Sequence, residues 1–538
     1  MIARPRAGGG AGPLWTAPGV RAERLVPPNL LWASNGIAFG PDGRLYIAQF
    51  LGATISALDV DTGELETVLG PDGPLTAPDD IAFADDGAMF VVDLPAELVW
   101  RRDPDGTMSV VAEGIVAPDG VACHRGRLFV NELAVDGRLL EIDLAGGPPR
   151  VMATGLVLGN AMQVGPDGLL YYPHLMGGEV WRVGLDGGEP ERVLDDIVMP
   201  VAVRFDPSGG LRVLSARNGQ LHRIDLRSGE RDVRESGVIG ADNVAFAPDG
   251  TAYVSGAFRG GLRALSPDGG VRVVIPEGLN GPFGIAALAG GDLLLADHFG
   301  TARLPGGTGE PVREDWLAEL HEAGIRGLAT AGDDVVVTTE NGNVHRGSPT
   351  SGWSTTRGLD DPGGAVTTPD GRVLVAEIGG GRVVELDGDG GFRPVAEGLD
   401  RPVDLTVDDH GDVCVSVTGG GRVVRLRDGR VLTAGLSRPE GLVAAHGALW
   451  CVAAGEGRLY RIDPDTRAGS VVASGLATDV RPPHVPDRAA SGVARRPRPF
   501  AAVERAGDDL VVGLGAEGSL LRLSGLAASS GSPTKGTR

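Results

Sequence analysis

Ser34-Asn35-Gly36-Ile37-Ala38-Phe39, then Pro41-Asp42-Gly43, then Leu45-Tyr46-Ile47-Ala48 is the stretch on which the fold turns. It couples a short apolar run to a Pro-Asp-Gly turn and a second apolar run, which is the pattern of a tight β-hairpin. The phrase returns as Pro78-Asp79-Asp80-Ile81-Ala82-Phe83, and again from Pro118-Asp119-Gly120, Gly159-Asn160-Ala161, Pro200-Val201-Ala202 and Ala241-Asp242-Asn243. Aligned on its second residue, it falls at 35, 79, 119, 160, 201 and 242, steps of 44, 40, 41, 41 and 41. The series continues through Phe283, Arg326, Gly363, Val403, Glu440 and Ala501, with steps of 41, 43, 37, 40, 37 and 61. Twelve units of about 40 residues follow, the last step carrying an insertion.

Within a unit, Leu58-Asp59-Val60-Asp61 closes a third strand, Thr62-Gly63 turns the chain, and Glu66-Thr67-Val68-Leu69 supplies a fourth. Four short strands repeating at this period are the pattern of β-propeller blades. Rings usually hold four to eight blades, so twelve predict two tandem six-bladed propellers in an all-β chain. The expected organisation is an N-terminal segment 1–28, a first propeller over 29–278, a second over 279–525 and a tail over 526–538. Residues 19–26 (GVRAERLV) have the pattern of an outermost strand, and the last unit lacks one of its own. That strand is expected to close a ring by pairing with a distant blade, with either ring open to it. The alternative split, with the first blade joining the second ring, stays open. A short helix is expected over 315–324 (DWLAELHEAG), and an Arg/Pro-rich inserted loop over 478–499.

Composition narrows the function. Of 538 residues, 87 are glycine and 38 proline, regularly placed between apolar runs that make up 42% of the chain. Acidic residues outnumber basic ones 71 to 49, a formal charge of −22 that opposes binding to nucleic-acid phosphates. The one lysine is Lys535, in the tail, which removes Schiff-base and P-loop chemistry. Cys123, Cys414 and Cys451 show no CxxC spacing. No secretory h-region and no membrane-spanning apolar run is visible, so a cytoplasmic protein with no membrane partner is expected. G-x-S-x-G and H-E-x-x-H are both missing.

The blade phrase resembles the SMP-30/gluconolactonase family and is similar to strictosidine-synthase-like and NHL-type propellers, over roughly residues 30–525. The resemblance implies a divalent cation at the channel mouth, held by a Glu of the first blade, an Asn of the fourth and an Asp of the fifth. An Asn of the third blade is implied to bind substrate. At the aligned positions this chain has Asn35, Asn160, Val201 and Asp119, so Asn160 alone matches a metal ligand of that family.

The innermost strands of a propeller line its channel, so the aligned position of each blade forms a ring at one mouth. The first ring is Asn35, Asp79, Asp119, Asn160, Val201 and Asp242; the second is Phe283, Arg326, Gly363, Val403, Glu440 and Ala501. Carboxylates converging on one axis repel unless a cation or protons intervene. Oxygen donors of this kind suit Ca²⁺ or Mg²⁺, with Asp79, Asp119, Asn160, Asn35 and Asp242 as candidate ligands. Asp and Asn at strand starts also make turn and backbone hydrogen bonds, which is the competing explanation.

A second layer aligned on Gln49 holds Asp93, Glu132, His174, Ser215 and Gly256. His174, Glu132 and Asp93 are candidates to move protons, His174 with its pKa raised by nearby acids. His298 beside Asp297 is the seventh-blade equivalent. The expected activity is hydrolysis of a small lactone or ester, assisted by a divalent cation, with a small-molecule substrate as partner. A lyase or cyclase acting on a small natural product is an alternative. So is a non-catalytic binding module that meets a protein through a propeller face or the Arg-rich loop.

Overall fold

The computed structural model describes residues 12–298, 300–309, 311–314, 324–478 and 501–526. The residues of the inserted loop after Thr478, the expected helix before Gly324 and the tail from residue 527 lie outside them. Among the described residues no helix is long and apolar enough to cross a membrane.

Each sequence repeat becomes one antiparallel sheet, and the described residues form twelve. In the first, Ser34–Phe39, Leu45–Gln49, Thr54–Leu58 and Leu65–Leu69 pair in chain order. Its first hairpin turns at Gly43, whose φ of 79° is a left-handed value that glycine alone adopts without a Cβ clash. Alternate side chains leave opposite faces of each strand, so a Val/Ile/Leu-rich run buries apolar groups against neighbours on both sides. The second strand, Leu45–Gln49, is buried throughout, whereas Leu65–Leu69 at the outer edge is only partly covered.

The chain falls into two compact units with a division between Gly278 and Leu279; the N-terminal strands join the second. Six sheets lie in each. Arg21–Val26 pairs with Ser519–Ser524, from Arg21 opposite Ser524 to Val26 opposite Leu520, and so completes the sheet begun at Val503–Ala506. Trp15–Thr16 adds a fifth strand outside Gly469–Ser474; the other eleven sheets have four strands.

Apolar clusters fill the spaces between successive sheets. In the first unit Leu31, Ile37 and Leu45 of the first sheet pack against Tyr253, Leu262 and Ile275 of the sixth. In the second, Leu25, Val26 and Leu520 of the twelfth sheet pack against Leu293, Leu295 and Leu304 of the seventh. The first sheet also packs against the second through Ile55, Ile81 and Val91, so it belongs with the sheets that follow it. The fold is all-β and propeller-like.

Polar staples recur beside these clusters. Asn131 accepts from Gly120 N (2.9 Å) and donates to Asn160 O (2.6 Å), one sheet onward. Ser255 accepts from Asn243 N (3.1 Å) and donates to Asn35 O (2.6 Å), joining the sixth sheet to the first. Thr338 and Ser416 repeat the arrangement in the second unit, donating to Gly363 O and Glu440 O (both 2.6 Å). Each staple satisfies a buried amide and a buried carbonyl that the strand ladder leaves open.

Candidate functional site

In ten of the twelve sheets the register of the innermost strand slips at the aligned position. Pro78 is opposite Asp93, but the next pair is Ile81 with Val91, so one extra residue bulges out; Pro118/Val121 and Ala241/Val244 repeat the slip. A bulge re-aims side chains. Two successive residues per strand therefore come to the channel, the aligned one and its successor. Where the successor is glycine, as at Gly120, an added Cβ would run into the carbonyl of Asn160 on the next sheet. Asp80 and Asn243 stand where other strands have glycine.

Asn35, Asp79, Asp119, Asn160, Val201 and Asp242 are all buried. Asn35 Nδ2 donates to Asp79 Oδ2 (3.3 Å), and Asn160 Nδ2 donates to Asp119 Oδ2 (3.2 Å). Asn35 Oδ1 and Asp119 Oδ1 are buried without a hydrogen-bond partner. Burial, then the charge of Asp80, push the Asp79 carboxyl up to about 7. Asp119 is held well above the ordinary carboxylate range by burial and by Asp79, Asp242 and Asp80. Asp242 is raised by burial and by Asp79 and Asp80. Burial and mutual repulsion thus favour the protonated form of the first ring's carboxyls.

Next to this ring lies a layer that sequence reading missed. Arg204 Nη2 donates to Asn243 Oδ1 (2.9 Å), Asn243 Nδ2 donates to Asp80 Oδ1 (2.9 Å), and Arg204 Nη2 lies 3.5 Å from Asp80 Oδ2. Arg204 Nη1 also donates to Met162 O (2.7 Å). Asp80, Arg204 and Asn243 come from the second, fifth and sixth of the unit's six sheets, so their contacts form a polar bar between sheets far apart in chain order. A cavity of about 310 Å³ lies along the inner strands, lined among others by Phe39, Phe83, Phe205, Phe246, Gln163 and Arg204. The signal for this layer was in the sequence. Three residues past the aligned position stand Ala38, Ala82, Ala122 and Ala245, and the exceptions in that column are Gln163 and Arg204.

The second layer of the sequence reading has a different role from the one expected. Both Asp93 oxygens are engaged, by Thr76 N (2.7 Å) and Ala77 N (2.8 Å). Glu132 accepts from Val116 N (3.1 Å), from Arg138 N (3.0 Å) and from the Arg138 guanidinium at both oxygens. Gln49 accepts from Trp32 N (2.9 Å) in the same way. In the second unit Asp297 accepts from Asn280 N (2.7 Å) and Gly281 N (2.8 Å), and Glu377 from Asp360 N (2.7 Å). Carboxylates at this position hold the loop that enters the innermost strand. Asp93 and Glu132, expected to move protons, have their oxygens committed to that task.

His174 also departs from expectation. It is buried against Trp181, their rings stacked 5.4 Å apart, with Nδ1 3.5 Å from Glu179 Oε2. Burial lowers its pKa and Glu179 only partly offsets this, so the imidazole is neutral rather than raised by acids. Its Nε2 is buried without a partner, and Gly159, next to Asn160, bridges to His174.

The metal expectation meets the geometry as follows. The mouth offers oxygen donors and two orphaned oxygens, the ligand types that a hard cation takes. Among the described residues, however, no three His, Cys, Asp or Glu side chains are grouped so as to hold a metal ion. As placed, Asp79, Asp119 and Asp242 do not form an ion cage.

In the second unit Phe283 and Arg326 are fully buried, and Arg326 Nη1 donates to the Asp361 carboxylate and to Pro362 O (3.3 Å). Glu440 accepts from Ala501 N (2.8 Å). Asp404, raised to about 7 by burial, accepts from Leu442 N and Leu405 N (both 2.9 Å). Glu504 is pushed up to about 8 by burial. The charge of Asp404 also raises Glu504, but among the described residues the amide-bonded carboxyls of the first ring have no counterpart in this one.

Fold and site together define a propeller-like all-β protein with a cluster of buried carboxyls and amides in its first unit. No family model matches the chain. It is 27% identical over 106 residues to the gluconolactonase of Zymomonas mobilis, a match that covers 16% of this chain and 30% of that protein. The shared stretch is thus under a third of the relative's length. Over it, the chain resembles gluconolactonase, as its blade phrase does. Among solved structures, a streptogramin B lyase is similar at TM-score 0.38 and 16% identity, covering 52% of this chain and 95% of that one. Agrobacterium tumefaciens regucalcin, titled a calcium-binding protein, is similar at TM-score 0.36 and 18% identity, covering 43% and 85%. PorZ, a component of the type-IX secretion system of Porphyromonas gingivalis, is similar at TM-score 0.43 and 15% identity, covering 91% and 79%.

Proposed function

We propose that each unit is a six-bladed propeller and that the mouth of the first is a hydrolytic site for a small lactone or ester. The observation that carries this reading is the orphaned Oδ1 of buried Asp119, in a group of carboxyls that burial and mutual repulsion push toward the protonated form. Asp119, kept protonated, is placed to donate from Oδ1 to a substrate carbonyl oxygen. Asp79, titrating near 7, is matched to take a proton from an attacking water at neutral pH. Asn35 and Asn160 hold these two carboxyls by their Oδ2 atoms and leave the others to substrate. Water adds to the carbonyl carbon, the ring or ester C–O bond breaks, and the departing alkoxide takes up a proton from the same acids. Neutral His174, through its free Nε2, is a second group able to accept a proton beside Asn160. Asp93 and Glu132 act by positioning the loops.

The test is turnover of a panel of lactones and esters by the wild type and by Asp119→Ala. Loss of about 10²–10³ in kcat is expected from removing one such donor. A wild type inert toward the whole panel, or an Asp119→Ala variant as active as wild type, would falsify the reading. Metal content of the same two proteins decides whether Ca²⁺ or Mg²⁺ shares the site. One equivalent, lost in the variant, adds the cation; none leaves the carboxyls to work as acid and base.

A further inference from the structure

The loops that enter the innermost strands differ between the two units in a way that bears on what the mouth receives. Three residues before the aligned position the first unit has Trp32, Thr76, Val116, Val157, Val198 and Ile239. At the same place the described loops of the second unit have Asn280, Asp360, Asp400 and Ser437. Burial does not explain the apolar choice, because Val198 is 52% and Ile239 51% exposed.

Two more apolar side chains stand on the same face, in the turn or strand that follows the second strand. Val135 is 80% exposed and Met176 62%, the two highest values among the large hydrophobics. Backbone hydrogen bonds stitch these loops side by side around the mouth: Leu158 N to Ala134 O (3.1 Å), Met176 N to Val157 O (3.3 Å), Ile197 N to Gly178 O (3.2 Å) and Gly240 N to Ala216 O (3.0 Å). Val135, Met176, Val198 and Ile239 therefore form an apolar collar over the third to sixth sheets, above Asp119, Asn160 and Asp242. Exposed apolar side chains on neighbouring loops around a polar recess are an arrangement suited to ligand binding.

We propose that the first unit's mouth takes amphipathic substrates: a polar head, such as a lactone ring, among the carboxyls, and an alkyl or aromatic arm laid on the collar. Three residues, with a left-handed turn at Met199 and at Gly240, separate Val198 and Ile239 from the aligned position, so the arm spans less than roughly 10 Å. A polyol lactone would leave the collar bare and bring hydroxyls to apolar surface. The inference rests on the hydrolytic reading for the identity of the head, while the arm follows from the collar alone.

The test compares δ-dodecalactone with δ-valerolactone, with 1-decanol as a ligand that cannot be hydrolysed. The expected result is a preference of about 30-fold or more in kcat/KM for the long-chain lactone, expressed in KM. It is also that 1-decanol binds by calorimetry, and that both properties collapse in the Val198→Asp/Ile239→Asp double variant. These side chains are exposed, so its melting temperature should match wild type, and that measurement accompanies the kinetics. Turnover without chain-length preference, or a preference and decanol affinity that survive the double substitution, overturns the collar and leaves hydrolysis standing. Decanol binding lost in the double variant, with neither lactone turned over, retains the collar and overturns hydrolysis. No turnover and no decanol binding overturn both.

Discussion

The two units share a chassis and differ in what they place at its centre. Asn131 and Ser255 staple sheets in the first as Thr338 and Ser416 do in the second. Glu132 with Arg138 corresponds to Glu377 with Arg382, each carboxylate also holding a loop amide. Asp80 and Asp404, each next after the aligned residue, both reach the backbone of the following innermost strand, at Val121 N and Leu442 N. Polar residues that recur in both units are explained by packing, because the second unit keeps them around a different and smaller acid set, Asp404 with Glu504. What the first unit has alone is Asp79, Asp119 and Asp242 with Asn35 and Asn160, and beside them the Asp80–Arg204–Asn243 bar. Function is to be sought in that difference.

Asp79 and Asp404 make the sharpest comparison, since burial brings both carboxyls to about 7. On the reading above, Asp79→Asn removes the group that takes a proton from water, and turnover should fall by about 10²–10³. Asp404→Asn, in the second unit, should leave kcat within about twofold. Steady-state rates of the two variants, normalised to folded protein, check this. Equal losses would erase the functional distinction between the units.

The next effect is on stability and has a defined sign. Asp79, Asp119 and Asp242 have folded pKa values raised above the unfolded one, so between about pH 4 and 7 the folded chain binds more protons than the unfolded chain. Stability from these groups is therefore unaffected below pH 4 and declines as pH rises through that window. Asp119→Asn removes one such group while keeping an oxygen for Asn160. The variant should match wild type at pH 4 and exceed it by roughly 1–3 kcal/mol at pH 8 in denaturant unfolding. Asp404→Asn should gain less, because its carboxylate loses amide partners that favour the charged form. A wild type more stable than Asp119→Asn at pH 8 would mean that the ring is not self-repelling.

Much of this contrast was legible in the chain itself. The period of about 40 residues fixes the sheets, since each repeat can bury its faces only against its neighbours. The ring of acids was legible too, because one aligned residue per sheet reaches the mouth. The N-terminal strand's partner was not, since Arg21–Val26 has no pattern that distinguishes one open outer edge from another. The bar was missed because a bulge brings two residues per strand to the channel, which a single aligned column does not convey. Asp93 and Glu132 show the reverse. Acids near a mouth suggest proton transfer, but the loops before Pro78 and Pro118 have backbone amides that need acceptors, and the strand-end carboxylates supply them.

That last point leads to the smallest expected effect. If Glu132 and Glu377 are equivalent clamps, Glu132→Gln and Glu377→Gln should each cost roughly 1–2 kcal/mol, lowering the melting temperature by a few degrees and to a similar extent. The cost stays modest because the glutamine oxygen still accepts from the loop amide, and the lost ion pairs are partly screened by solvent, Arg138 being 38% and Arg382 30% exposed. A matched pair of losses would place Glu132 with the architecture common to both units. A fall in kcat peculiar to Glu132→Gln, measured where both variants are fully folded, would return Glu132 to the chemistry of the first mouth and make the loop before Asp119 part of it.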